Sequence, residues 1–122
     1  RLLGPEHPDT LTARGNLAAS YRETGRVQEA IPIEEQVVAD SERLLGPEHP
    51  DTVIARGNLA VSYWEAGRVQ EAIPIEEKVV ADRVRLLGPE HPHTVIARGN
   101  LAASYRETGR VQEAVELQGQ GD

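Results

Sequence analysis

Three histidines recur at one interval, His7, His49 and His91, each following a glutamate: Glu6, Glu48 and Glu90. All sit in the same string, "GPEHPDT" at 4–10 and 46–52 and "GPEHPHT" at 88–94. Imidazole beside carboxylate is the chemistry of metal ligation and proton transfer, and His93 adds another imidazole two residues after His91. A metal site needs several ligands converging on one ion at about 2.0–2.2 Å. Copies of a junction one repeat apart in a stack of helices stand on the order of 8–10 Å from each other, so a single rung makes no site. The ladder is read as structural or solvated, with an adventitious metal contact as the alternative. No phosphate-binding loop, zinc-protease helix, nucleophile elbow or Gly-rich dinucleotide turn is present. The expectation is a non-enzyme with no catalytic residue, cofactor or resident metal.

A second set of candidates comes from where the copies differ. Residues 1–42 and 43–84 differ at eight positions, and the third copy follows the second closely to Ala114 before "VELQGQGD" ends the chain. Three of the variable positions are Thr12/Ile54/Ile96, Ala19/Val61/Ala103 and Arg22/Trp64/Arg106. Their offsets of seven and three place them on one helical stripe, away from Leu17, Ala18 and Tyr21. Asn16, Asn58 and Asn100 lie beside that stripe. The stripe thus carries amides, an indole at Trp64, and guanidinium groups at Arg22 and Arg106. The competing reading is solvated side chains and amide bonds between helices. Gly15, Gly57 and Gly99 share the stripe, each costing about 1 kcal/mol relative to Ala in a helix, which suggests close approach by a neighbouring helix or a ligand.

These residues need helices to hold them. Leu11, Leu17, Ala18 and Tyr21 recur at helical spacing before Gly25 and predict helix A over roughly 9–24, with Asp9 or Thr10 as its N-cap. Val27, Ala30, Ile31, Val37, Val38, Leu44 and Leu45 predict helix B over roughly 27–45, closed by Gly46-Pro47 and locally kinked at Pro32. Three such units occupy 1–42, 43–84 and 85–122 of a single repeat domain. The chain opens inside a unit at Arg1 and carries no Met, and is read as an excerpt of a longer protein.

Composition narrows the class. The 122 residues carry a net charge of -7, which opposes binding to a phosphate backbone. The absence of cysteine fits a reducing compartment, with cytoplasm as the default. No apolar run approaches a membrane span, so neither nucleic acid nor membrane is expected as a partner.

The string Arg14-x-x-Leu17-Ala18-x-x-Tyr21, then Gly25, then Ala30, resembles the tetratricopeptide repeat. The 42-residue period, the "LLGPEHPDT" junction and "NLA" are similar to the kinesin light chain type and related bacterial repeat proteins. The resemblance implies an all-α, right-handed α-solenoid of about six helices with the last truncated. It also implies that the helix A stripe, residues 12, 16, 19 and 22 with their counterparts, lines a concave groove for a peptide or helix of another protein. In such a groove the asparagines would hydrogen-bond the backbone of an extended peptide, Trp64 would supply an apolar anchor, and Arg22 and Arg106 would meet carboxylates; Trp64 is then expected to be exposed beside Asn58 and Asn100. The alternative is a structural spacer, or an array whose open ends stack end to end. Two departures from the family are Arg14 (also Arg56 and Arg98) and Glu34 (also Glu76) where large apolar residues are usual. With Ala18 against Ala30 in an antiparallel pair, Leu17 should face Ile31, Arg14 should pair with Glu34, Arg56 with Glu76, and Arg98 should face Gln118.

Overall fold

The structure is a computed structural model and describes residues 7–119. Six helices follow one another: α1 (Pro8–Glu23), α2 (Val27–Leu44), α3 (Pro50–Glu65), α4 (Val69–Leu87), α5 (Pro92–Glu107) and α6 (Val111–Gly119). Each packs on the next, which makes an all-α solenoid of three helix-turn-helix units. No strand occurs among the described residues.

The junction histidines are helix caps. His7, His49 and His91 sit in extended backbone, and each Nδ1 accepts the N–H two residues on, at 3.0, 3.0 and 3.1 Å. Proline explains why the cap falls there rather than at Asp9 or Thr10, which lie in the first turn. Its fixed φ and missing N–H suit the first helical position, and it forces the residue before it out of the helical region. Thr52 is fully buried and ties α3 to α2 by donating to the Ser41 carbonyl at 3.2 Å. Thr94 repeats the bond to Arg83.

The turn inside each unit is equally regular. Gly25 takes φ 78°, the Arg26 N–H reaches back to the Tyr21 carbonyl at 2.7 Å, and the Gly25 N–H to that of Arg22 at 3.1 Å. Glycine is required at this left-handed position, and the two bonds satisfy carbonyls at the end of α1. Arg26 then lies 4.7 Å from the Tyr21 ring centre and makes a two-pronged contact with Glu29. Arg68 and Arg110 repeat this against Tyr63 and Tyr105. α2 and α4 run unbroken through Pro32 and Pro74, both exposed.

Between units, small and large residues divide the packing. Ala18, Ala30, Ala60, Ala72, Ala102 and Ala114 are buried where the two helices of each unit meet. Leu59 and Tyr63 pack with Ile31 of the preceding unit, and Leu101 and Tyr105 with Ile73 and Val80. The leucine of helix A thus faces the preceding helix B rather than its own. Leu17, at the same repeat position in α1, is 48 % exposed against 5 % for Leu59. Each interface is bolted by a tyrosine: Tyr63 donates to Glu35, and Tyr105 to Glu77 at 2.6 Å. Burial, reinforced by the carboxylate that each hydroxyl serves, pushes both phenols up to about 12.

Candidate functional site

Residues three and four apart share a helix face, and the stripe on α1, α3 and α5 opens into two clefts. The first, about 470 Å³, is lined by Thr12, Gly15, Asn16 and Ala19 of α1, Glu34 and Val37 of α2, and Ile54 and Asn58 of α3. The second, about 240 Å³, is lined by Ile54, Gly57, Asn58 and Val61 of α3, Glu76, Val79 and Arg83 of α4, and His93, Ile96 and Asn100 of α5. Ile54 and Asn58 belong to both, so the clefts adjoin. Ile54, Val61 and Ile96 leave apolar surface open to solvent between the asparagines.

Four candidates line neither cleft. Arg22 is ion-paired to Glu34 at 3.4 Å, Arg106 donates to Gln118, and Ala103 is half-buried. Trp64 is 43 % exposed but is not among the cleft residues around Asn58 and Asn100. The stripe glycines do not mark close helix packing: a Cβ added at Gly15, Gly57 or Gly99 would meet nothing within 4 Å. His93 is a cleft residue with no counterpart in the other units, where Asp9 and Asp51 stand; its departure from the repeat was the available signal.

The expected arginine–glutamate pairs do not form. Arg14 donates to Asp40 at 2.7 Å, and Arg56 to Asp82 at 2.9 Å, six residues beyond the glutamates. Six residues is about 9 Å of helix rise, and the arginines reach toward the junction, where Arg56 also contacts the Pro47 carbonyl and Glu42. Arg98 donates to the Pro89 carbonyl rather than facing Gln118. Arg56 and Asp82 are both buried, their side chains 6 % and 1 % exposed, and Lys78 and Arg85 close over the aspartate. Losing one partner of such a pair costs about 3–5 kcal/mol. The bond from Arg14 holds the Asp40 carboxyl below the usual range.

The glutamates instead form the cleft floors, and the three units treat that position differently. Burial raises the Glu34 carboxyl, opposed by a hydrogen bond from Ser62 and by Arg22. Burial pushes Glu76 up to about 7, opposed by Ser104 beside it. Neither Glu76 Oε1 nor Ser104 Oγ completes a hydrogen bond. Unit three has Gln118 in place of a glutamate.

Among the described residues, no three His, Asp or Glu side chains converge as a metal site would require. None of their helices is long and apolar enough to cross a membrane.

The chain is similar to known repeat proteins over nearly its whole length. The tetratricopeptide repeat family profile matches residues 10–51, 52–93 and 94–121. No curated protein matches the chain. Among solved structures, nearly identical TPR-like repeats from a Podosopora anserina protein described as a kinesin light chain share 42 % identity over 98 % of this chain, with a TM-score of 0.93. A substituted variant of the same repeats gives 40 % identity and a TM-score of 0.82. BtubC (BKLC) from P. vanneervenii, at 24 % identity over 95 % of the chain and a TM-score of 0.85, shares the fold. The chain spans 56 % of the length of the first two and 46 % of the third. With three matched units of about 42 residues, a Schellman-type glycine turn in each and consecutive helix packing throughout, the chain belongs to the tetratricopeptide repeat family, in its long, kinesin-light-chain-like form.

Proposed function

We propose that this chain is a non-catalytic interaction module that holds an extended peptide of another protein along the helix A stripe. The observation that carries the reading is the pair of adjoining clefts in which exposed Ile54, Val61 and Ile96 alternate with Asn16, Asn58 and Asn100. Apolar side chains supply area, and amides can bond a peptide backbone regardless of its sequence. Tetratricopeptide repeats are commonly protein-interaction modules, which agrees with this use. Thr12 and Ala19 extend the same surface, while Trp64, Arg22, Ala103 and Arg106 flank it. Selection of a displayed random nine-residue peptide library on the 122-residue chain tests the reading. Enriched peptides should lose affinity for an Ile54→Lys, Ile96→Lys variant that keeps its helical circular dichroism. Failure to enrich any peptide, or unchanged binding by that variant, defeats the groove.

A second reading, end-to-end self-association, rests on the exposure of Leu17, whose counterparts Leu59 and Leu101 are covered by the preceding unit. Near-identical units make such a contact head-to-tail and non-closing. Light scattering across a wide concentration range should then show growing mass; a constant monomer mass overturns it.

A further inference from the structure

We propose that the second cleft receives a basic side chain, arginine or lysine, of the bound peptide, with Glu76 as its counter-ion. This rests on the groove reading above and gives it a ligand chemistry.

The chain contains its own controls at one pair of positions. In unit one, Arg22 stands 3.4 Å from the buried Glu34 carboxylate. In unit three, Arg106 donates to Gln118, a side chain with no charge to neutralise. Unit two keeps the glutamate and replaces the arginine with Trp64. Glu76 is buried, its Oε1 has no hydrogen-bond partner, and no cation lies within ion-pair distance of it among the described residues. A buried carboxyl without a cation beside it is expensive to ionise, and a cation from outside removes that cost.

The surroundings leave the role open to a ligand. α3 presents Ile54, Asn58 and Val61 to this cleft, none of them titratable. α4 adds Arg83, seven residues and about 10 Å of rise from Glu76 and joined to it by no ion pair, and α5 adds the exposed His93; the uncharged Ser104 of α5 lies beside the carboxyl itself. The open space over Gly57 gives a peptide backbone room to approach. A guanidinium or ammonium entering here would do for Glu76 what Arg22 does for Glu34.

Binding of a cation should pull the Glu76 proton off. Its carboxyl stands near 7 in the free chain, so affinity should fall by about tenfold per pH unit once the pH is well below that value.

The test uses the same displayed library on three forms of the whole chain: wild type, Glu76→Gln and Trp64→Arg. Both substitutions copy residues already present at the equivalent positions of units three and one, so the helices retain a sequence they already use. Wild type should enrich peptides with arginine or lysine at one fixed position. Changing that residue to citrulline or norleucine should weaken binding about tenfold or more. On either variant, the basic peptide and its citrulline form should bind alike. Titration calorimetry at pH 6 in two buffers of different ionisation heat should show proton release for wild type and none for Glu76→Gln. Enriched peptides that lack a basic residue, or a basic preference that survives Glu76→Gln, overturn this inference and leave the groove reading standing. If no peptide is enriched, both fall.

Discussion

His49 illustrates how a chemically versatile side chain serves as a helix cap. Its Nδ1 fills the place usually taken by a Ser, Asp or Asn oxygen, accepting the Asp51 N–H at 3.0 Å. His49→Ala should therefore destabilise the chain by about 1 kcal/mol, and His49→Asn should recover most of that, measured by urea unfolding. Glu76 makes a different prediction. Its folded-state value of about 7 lies above the 4.5 of a free glutamate, so its contribution to stability is fully present below about 4.5. It is lost as pH rises through 7. The stability of wild type relative to Glu76→Gln should fall by about 1–3 kcal/mol between pH 4.5 and pH 8. The comparison removes Asp40, whose depressed carboxyl acts in the opposite direction in both forms. A difference that does not change with pH would show that Glu76 is ionised at no cost.

At the scale of the element, helix A is less stable than its position requires. Gly57 lies in the interior of α3 with ordinary helical backbone and open space where a Cβ would go. Neither geometry nor packing demands glycine there, yet glycine lowers helix stability by about 1 kcal/mol relative to alanine. Gly57→Ala should raise the unfolding free energy by about 0.5–1 kcal/mol. Because Gly57 lines the second cleft, the same change should weaken any peptide held against it. Gain of stability with unchanged peptide affinity would separate the glycine from the groove. In helix B the prolines are the sixth residues of α2 and α4 and lie on the exposed face, where water can serve the carbonyls of Gln28 and Gln70 that they leave without a donor.

For the whole molecule, stability is distributed by neighbour rather than by residue type, because each unit buries its face against the next. Leu17 and Leu59 occupy the same position in nearly identical units, but among the described residues Leu59 packs against Ile31 of α2 while Leu17 is exposed. Leu59→Ala should cost about 2–5 kcal/mol, as core truncations do, and Leu17→Ala less than about 1 kcal/mol. Denaturant unfolding of the two variants decides this directly. Equal losses would mean that Leu17 is covered in solution, the outcome that end-to-end association requires.

The sequence by itself determined the 42-residue unit, the two helices in each and their ends to within a residue or so, and the alanine contact within a unit. Each depends on local chemistry: helical spacing of apolar residues, glycine where φ must be positive, proline where an N–H is dispensable. It also marked the stripe, since copies that diverge only at certain offsets reveal which face the core leaves free. Only the tertiary structure decided which partner each residue meets. Leu59 was legible as a core residue, but two helices B of almost the same sequence could cover it, and the crossing chose the preceding one. Arg14 was legible as a departure from the family, but Glu34 and Asp40 were both within reach of a long flexible side chain on a helix of unknown register. Packing moved the arginine to Asp40 and left the glutamates beneath the clefts. The sequence records the loss of an arginine at Trp64. That the loss leaves a buried carboxyl unpaired emerges only once Arg22 is seen beside Glu34, because a repeat period aligns residues along the chain and says nothing of which ones meet across it.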